Sequence, residues 1–200
     1  YPATNKLSTM PKKENIIIFT GKLNKSKGYD IFAKATINIL KKFKNWKAYA
    51  IGNERREKYN FKHKNFKVLN WIPHSKILNF YKKSSISVVC SRWQEPFGRT
   101  AMESAAAGCA TITSDKGGLS ETFKTNLILD NLNSQKLDQL ISKIIINEKM
   151  LKKIQRNNFK NVVHKIENLA SKVDNLKSNF LIKKINYIRN KNLKILHVSN

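Results

Sequence analysis

The chain has 200 residues, of which 40% are hydrophobic, enough to bury the core of one domain. No apolar run approaches the roughly 20 residues that span a bilayer, and the N-terminus has no signal-peptide pattern. The sequence therefore predicts a soluble, cytoplasmic domain. The net charge of +26 comes mainly from lysine, with 33 Lys against 6 Arg spread almost end to end, which is typical of a composition bias rather than of a nucleic-acid site.

Apolar periodicity divides the chain into alternating strands and helices. Short β-branched runs predict strands, and apolar residues at helical spacing predict helices. The predicted strands are residues 16–20, 47–51, 66–69, 86–90, 110–113 and 127–129. The predicted helices are residues 29–43, a short helix around 77–81, 99–107, 134–146 and much of 150–184. This alternation indicates a doubly wound α/β fold with a parallel, Rossmann-like sheet and C-terminal helices.

Ligands of such sheets bind beyond the carboxyl ends of the strands. We therefore expect four loops, at residues 21–28, 70–74, 91–98 and 114–119, to share one rim of the sheet. Cys90 and Cys109 have no metal-ligand spacing and are predicted to be buried small hydrophobes. The four histidines have no partner at metal or triad spacing and receive no role.

The most distinctive segment of the chain is EPFGRTAME, residues 95–103. It places Glu95 in a loop and Glu103 on the first turn of the predicted helix, with Gly98 allowing close approach of a ligand. Unpaired N–H groups at a helix start attract phosphate and sugar oxygens. The alternative is that the two carboxylates only stabilise the helix N-terminus electrostatically.

This segment resembles the Glu-x7-Glu motif of the family 4 glycosyltransferases, which are retaining GT-B enzymes also known as glycosyl transferases group 1. Three further segments resemble the same family, in the same order and with similar spacing. They are GKLNKSKGYD at residues 21–30, VLNWIP at 68–73 and SDKGGLSE at 114–121. The resemblance covers residues 16 to about 121 and implies the C-terminal, donor-binding half of a GT-B fold.

The resemblance implies roles for the two carboxylates and their neighbours. Glu103 would hold the ribose hydroxyls of the donor. Glu95 would lie beside the transferred sugar, with the backbone of Phe97 and Gly98. Arg99 would reach either a phosphate or a neighbouring carboxylate, and both remain open.

The resemblance also implies a cationic clamp for the diphosphate, made by Lys22 and Lys27 in the loop that begins at Gly21. Preplaced cations stabilise the charge that develops on a departing nucleoside diphosphate, so no metal and no cofactor are expected. The family usually has arginine at position 22, and lysine keeps the charge but not the bidentate fork. Ile72 resembles the position that contacts the base, whereas Trp71 beside it is equally compatible with a place in the core.

The function implied is retaining, metal-independent transfer of a hexosyl group from a UDP-, GDP- or ADP-sugar to a glycan or lipid-linked acceptor. The basic surface permits peripheral contact with an anionic membrane. Two other readings stay open, a basic nucleic-acid-binding module and a GT-B-like nucleotide-sugar isomerase or noncatalytic scaffold. The acidic pair, Glu95 and Glu103, argues against the first. The combination of the Glu-x7-Glu motif with the Gly-Lys-Leu to Lys-Gly pattern of residues 21–28 favours sugar transfer over the isomerase, and retention of both carboxylates argues against a scaffold.

Four segments are predicted along the chain. Residues 1–15 fit an interdomain linker, 16–160 the nucleotide-sugar-binding domain, and 161–192 a C-terminal helical segment. Residues 193–200, with the sequence LKILHVSN, fit either the start of a following domain or a frayed tail. On this interpretation the acceptor site lies in an N-terminal domain upstream, and the 200 residues alone are expected to be inactive.

Overall fold

Six parallel strands form one sheet in the order β3-β2-β1-β4-β5-β6. A computed structural model describes residues 9–119, 127–161 and 174–183. The strands are β1 Glu14–Thr20, β2 Lys47–Ile51, β3 Phe66–Leu69, β4 Ser84–Val89, β5 Ala110–Ser114 and β6 Ile128–Leu129. Every pair of neighbouring strands is parallel, so the predicted doubly wound α/β sheet is confirmed.

Helices connect the strands, as a parallel sheet requires. They are α1 Tyr29–Lys42, α2 His74–Lys83, α3 Arg99–Ala106 and α4 Ser134–Ile146, followed by a helix at residues 148–161. The α2 helix begins directly after Pro73, three residues earlier than its apolar pattern predicts, because Pro73 takes the N-cap position. Asn133 caps α4 by accepting a hydrogen bond from the backbone N–H of Lys136 at 2.8 Å.

The core lies on both faces of the sheet because successive strand residues point in opposite directions. On one face, Ile17 and Phe19 of β1 pack in the cluster that contains Phe32 of α1. On the other, Ile18 packs with Tyr81 of α2. Burying each of these side chains stabilises the fold by about 1.5 to 3 kcal/mol.

The helix at residues 148–161 is tied to the sheet by side-chain amides. Gln155 Nε2 donates to the carbonyl of Ser85 at 3.0 Å, and Asn158 Nδ2 donates to the carbonyl of Cys109 at 2.8 Å. Both cysteines are buried and free, as predicted. None of the helices in the described ranges is long and apolar enough to cross a membrane.

The chain divides into two units, Tyr1–Val162 and Val163–Asn200. In the second unit the described part is a helix at residues 174–183. The segment predicted to begin a following domain, 193–200, and the first eight residues of the predicted linker lie outside the described residues. The four predicted segment boundaries stay predictions.

One local expectation is wrong, and one open alternative is decided. Glu103 is the fifth residue of α3 and lies on its second turn, not its first, so it is not a charge on the helix N-terminus. Trp71 does not belong to the core, since 67% of its surface is exposed. Its short loop after β3 leads straight into α2, and the core contact at this position is made by Ile72 instead.

Candidate functional site

The strand order reverses between β1 and β4, which opens a crevice at the carboxyl ends of these two neighbouring strands. Such a switch point is where open α/β sheets bind ligands. The loops after β1 and β4 meet there, since the backbone N–H of Arg92 donates to the carbonyl of Ser26 at 2.8 Å. Most of the residues singled out in the sequence follow these two strands.

Lys27 and Glu95 come together across this crevice, one from each loop. Lys27 Nζ lies 2.6 Å from Glu95 Oε1, and both side chains are largely shielded from solvent. The Lys27 backbone N–H donates to Asn24 Oδ1 at 3.0 Å, so a buried asparagine shapes the turn that carries the lysine. A charge-assisted hydrogen bond of this kind holds both side chains in place.

The paired glycines hold the loop that carries Glu95. Gly117 forms a parallel bridge with Glu95, and the N–H of Gly118 donates to the carbonyl of Glu95 at 2.6 Å. Gly117 has φ 58, and a Cβ there would lie 2.5 Å from the same carbonyl oxygen; at Gly118 a Cβ would lie 2.5 Å from the carbonyl oxygen of Pro96. Only glycine allows this close approach, so the pair has a structural use in the site.

Glu103 forms a second acidic position, on α3. Its side chain is 9% exposed, and its Oε1 lies 3.0 Å from His74 Nε2 and 3.3 Å from Arg99 Nε. Of the two partners left open for Arg99, the structure shows the neighbouring carboxylate. A buried carboxylate with two donors is well placed to accept further hydrogen bonds, because it has about four acceptor positions in all.

The start of α3 lies between the two carboxylates. Gly98 takes the N-cap position with φ 69, a left-handed conformation that favours glycine. A Cβ at Gly98 would lie 2.6 Å from Leu119 Cδ2, so this turn also packs against the loop after β5. The first N–H groups of a helix have no partner within it, and Phe97, partly exposed, precedes them.

Lys22 and Lys27 line one cavity of about 660 Å³ above β1. Its wall also contains Asn24, Ser26, Glu54, Arg56, Glu57 and Trp93. Gly21 begins this loop, with its N–H donating to the carbonyl of Ile51 at 3.0 Å. The cavity therefore brings three cationic side chains together with two carboxylates and an exposed indole.

The acidic residues of this cavity pair with its loops. Glu54 Oε2 accepts from Asn24 Nδ2 at 3.1 Å, and Glu54 Oε1 accepts from Arg56 Nε at 3.2 Å. The hydrogen bonds from the side chain and backbone of Arg56, together with that from Asn24, lower the pKa of Glu54 to about 2. Glu57 Oε2 accepts from the backbone N–H of Lys25 at 2.9 Å. The loop after β2 thus supports the loop after β1.

A bidentate ion pair fixes the loop after β4 to α1. Arg92 places Nη1 at 2.7 Å and Nη2 at 2.9 Å from the two carboxylate oxygens of Asp30. Burial of Asp30 opposes its ionisation, but the hydrogen bonds and charge of Arg92 outweigh it, so the pKa of Asp30 is lowered. This geometry is the planar fork that arginine supplies and lysine does not.

Sequence reasoning found Glu95, Glu103, Lys22 and Lys27 but missed several residues that the fold adds. The loop at 53–62 also follows a parallel strand, β2, and this position alone predicts that it reaches the same rim. His74 stood at the end of a loop already expected there, two residues after Ile72. The sequence therefore predicts the position of both the loop at 53–62 and His74, because each follows a parallel strand. It contains no signal that His74 pairs with Glu103.

No group of three metal-ligating side chains occurs within residues 9–119, 127–161 and 174–183.

Ile72 is partly buried against the cluster of Ile18 and Tyr81. It stands two residues before His74, whose side chain contacts Glu103.

Solved structures share this fold. The C-terminal domain of a glycosyl transferase group 1 family protein (LpcC) from Francisella tularensis is 28% identical, with a TM-score of 0.68, over 83% of this chain and 95% of that one. Anabaena Alr3699/HepE, crystallised with UDP and glucose, is 18% identical with a TM-score of 0.64, over 80% of this chain and 48% of that one. The second likeness shows the fold alone. The fold is that of the C-terminal domain of a GT-B glycosyltransferase.

The sequence matches the family described as Glycosyl transferases group 1 over residues 3–161. The chain belongs to this family. An uncharacterized 42.6 kDa protein in the cps region of Klebsiella pneumoniae is 34% identical over 57% of this chain and 29% of its own length. Spore coat protein SA of Bacillus subtilis is 29% identical over 56% of this chain and 33% of its own length. The matched part of the chain thus spans about a third of these relatives.

Proposed function

We propose that this domain binds the nucleotide-diphosphate sugar donor of a glycosyltransferase, in the crevice between β1 and β4. The observation that carries the proposal is the pairing of Lys27 with Glu95 at the switch point, with Glu103 buried on the adjoining helix. Membership of the family supports the same class of donor.

Each residue has a role in this proposal. Glu103 holds the ribose hydroxyls, and Ile72 contacts the base. Lys22 and Lys27 hold the diphosphate. The N-terminus of α3, which begins at Arg99, lies near the same phosphates. Glu95 accepts hydrogen bonds from the sugar, beside the backbone of Phe97 and Gly98.

The proposed reaction is retaining, metal-independent transfer of a hexosyl group to a glycan or lipid-linked acceptor. As the nucleoside diphosphate leaves, negative charge develops on its phosphates, and the two lysines stabilise that charge in the transition state. Sugar transfer passes through an oxocarbenium-like state, whose positive charge the nearby Glu95 carboxylate favours. We expect the acceptor to be held by the other domain of the GT-B fold, and the domain described here to be inactive without it.

Calorimetry with UDP, GDP and ADP tests the donor site. Wild-type chain is compared with Glu103→Ala and with Glu148→Ala, a control that removes an exposed glutamate on the helix at residues 148–161. We expect one nucleotide to bind selectively, to lose about tenfold or more in affinity in Glu103→Ala, and to bind Glu148→Ala like wild type.

A single-stranded oligonucleotide is the opposing probe. If it binds tightly with a steep salt dependence while no nucleotide binds selectively, the donor-site proposal is wrong and the basic surface is the functional one. Retention is tested separately with the full-length polypeptide, by the anomeric configuration of the product in proton NMR. An inverted product would contradict the proposed stereochemistry without affecting the donor site.

A further inference from the structure

His74 contacts the buried carboxylate of Glu103 although the two residues belong to different helices. His74 is the first residue of α2 and Glu103 is the fifth residue of α3, and the two helices pack against each other. The distance from His74 Nε2 to Glu103 Oε1 is 3.0 Å. An ionised carboxylate only accepts hydrogen bonds, so we assign to His74 the tautomer in which Nε2–H is the donor of this bond.

The contact restrains the side chain at its functional end. Glu103 has three rotatable side-chain bonds before its carboxylate, whereas His74 has two and starts from a helix that Pro73 begins. The second partner of Oε1, Arg99, is 63% exposed, against 45% for His74, and is four residues away on the same helix, where such pairs are weak. His74 is therefore the firmer of the two partners and the one that comes from outside α3.

Glu103 keeps acceptor capacity beside this contact. The shortest contacts of His74 and of Arg99 are both to Oε1, and a carboxylate has about four acceptor positions in all. A pair of vicinal hydroxyls can then be received by the remaining positions, without displacing His74. A carboxylate already held in one orientation binds such a diol more tightly, because it loses less freedom on binding.

We propose that His74 is a positioning residue, which holds Glu103 in the orientation that receives the ribose hydroxyls of the donor. This inference rests on the proposed function, in which Glu103 binds ribose. It predicts that His74 contributes to the preference for a nucleotide with ribose hydroxyls and contributes little to the binding of one without them.

The test compares UDP, GDP and ADP with their 2′,3′-dideoxy forms by calorimetry. The quantity measured is the ratio of the two dissociation constants for one base, because any loss of folded protein cancels in that ratio. In wild type, we expect the ribonucleotide to bind more tightly. In His74→Ala, this preference falls by about tenfold, while binding of the dideoxy form changes little.

Two conservative variants separate positioning from mere packing. In His74→Gln, the side-chain amide can place an N–H donor near the position of imidazole Nε2, so most of the preference returns. His74→Asn keeps an amide but is too short to reach Glu103, so it behaves like His74→Ala. His63→Ala is the control, because the Nδ1 of His63 accepts from the backbone N–H of Asn65 in its own turn, and we expect the wild-type ratio.

The outcomes distinguish this inference from the function on which it rests. If wild type prefers ribose and His74→Ala keeps the whole preference, the positioning role is wrong and the donor site stands. The same holds if His74→Asn and His74→Gln lose the preference equally. If wild type binds the nucleotide without any preference for ribose, the proposed role of Glu103 fails, and the role of His74 fails with it.

Discussion

Lys27 Nζ lies 2.6 Å from Glu95 Oε1, and the two residues are 68 positions apart in the chain. In this arrangement the cation proposed to bind the diphosphate is neutralised by the carboxylate proposed to bind the sugar. Binding of a complete donor can offer each of them a new partner, a phosphate for the lysine and hydroxyl groups for the glutamate. A bare diphosphate satisfies only the lysine.

We therefore expect Glu95→Gln to separate the two halves of the donor. Lys27 no longer has to leave an ion pair, so the nucleoside diphosphate binds about threefold to tenfold more tightly. The additional affinity of the nucleotide sugar over the diphosphate becomes smaller, because the amide is a weaker acceptor. Calorimetry with both ligands measures the two effects.

Lys22→Gln is the matched comparison, because it removes a cation from the same cavity. Its affinity should fall for both ligands, in contrast to Glu95→Gln. If the bare diphosphate binds Glu95→Gln more weakly than wild type, Glu95 does not compete with phosphate for Lys27.

Gly28 should tolerate no side chain. It has φ 76, and a Cβ would lie 2.0 Å from the carbonyl oxygen of Cys90, so the loops after β1 and β4 would have to separate. We expect Gly28→Ala to lower the free energy of unfolding by about 3 kcal/mol, measured by urea denaturation. Gly21→Ala is the control, since its φ is also positive at 144 but no atom lies within 4 Å of a Cβ there. Equal losses in the two variants would mean that backbone strain, not the close approach to Cys90, requires glycine at position 28.

Glu54 should make stability depend on pH at the acid end. The hydrogen bonds of Arg56 and Asn24 lower its pKa from an ordinary 4.5 to about 2. A carboxyl whose pKa is lower in the folded state contributes stability that is fully present above the unfolded value and is lost as the pH falls towards the folded one. The difference in unfolding free energy between wild type and Glu54→Gln should therefore be constant from pH 7 to about pH 5 and shrink between 4.5 and 2. A difference that stays constant over that lower range would show that Glu54 does not titrate as described.

Lys13 joins the ends of two helices and should contribute to stability. Its ammonium donates to the carbonyls of Tyr81 and Lys82 at 3.0 Å and to that of Ala107 at 2.6 Å, where the last carbonyls of α2 and α3 have no partner within their helices. Lys13→Met keeps the length of the side chain but removes all three hydrogen bonds. We expect a loss of about 2 to 3 kcal/mol in unfolding free energy, and almost none for Lys12→Met, which changes the exposed neighbour. Losses of the same size would show that the three bonds do not stabilise the fold.

The sequence by itself determined the order and type of the elements. Continuous β-branched apolar runs and periodicity at helical spacing depend only on neighbours along the chain, so the strands around Ile17 and Ile86 and the helix over 134–146 could be read directly. The parallel sheet followed from their alternation. The rim followed from the sheet, and with it the place of Glu95 and Lys27.

The tertiary structure alone decided which of these side chains meet. Whether Lys27 reaches Glu95, and whether His74 reaches Glu103, depends on the strand order, on the conformation of the loops and on helix packing. None of these leaves a period in the sequence. The exposure of Trp71 has the same cause. In the sequence, either Trp71 or Ile72 could face the core from their short loop, and the packing of α2 places Ile72 there.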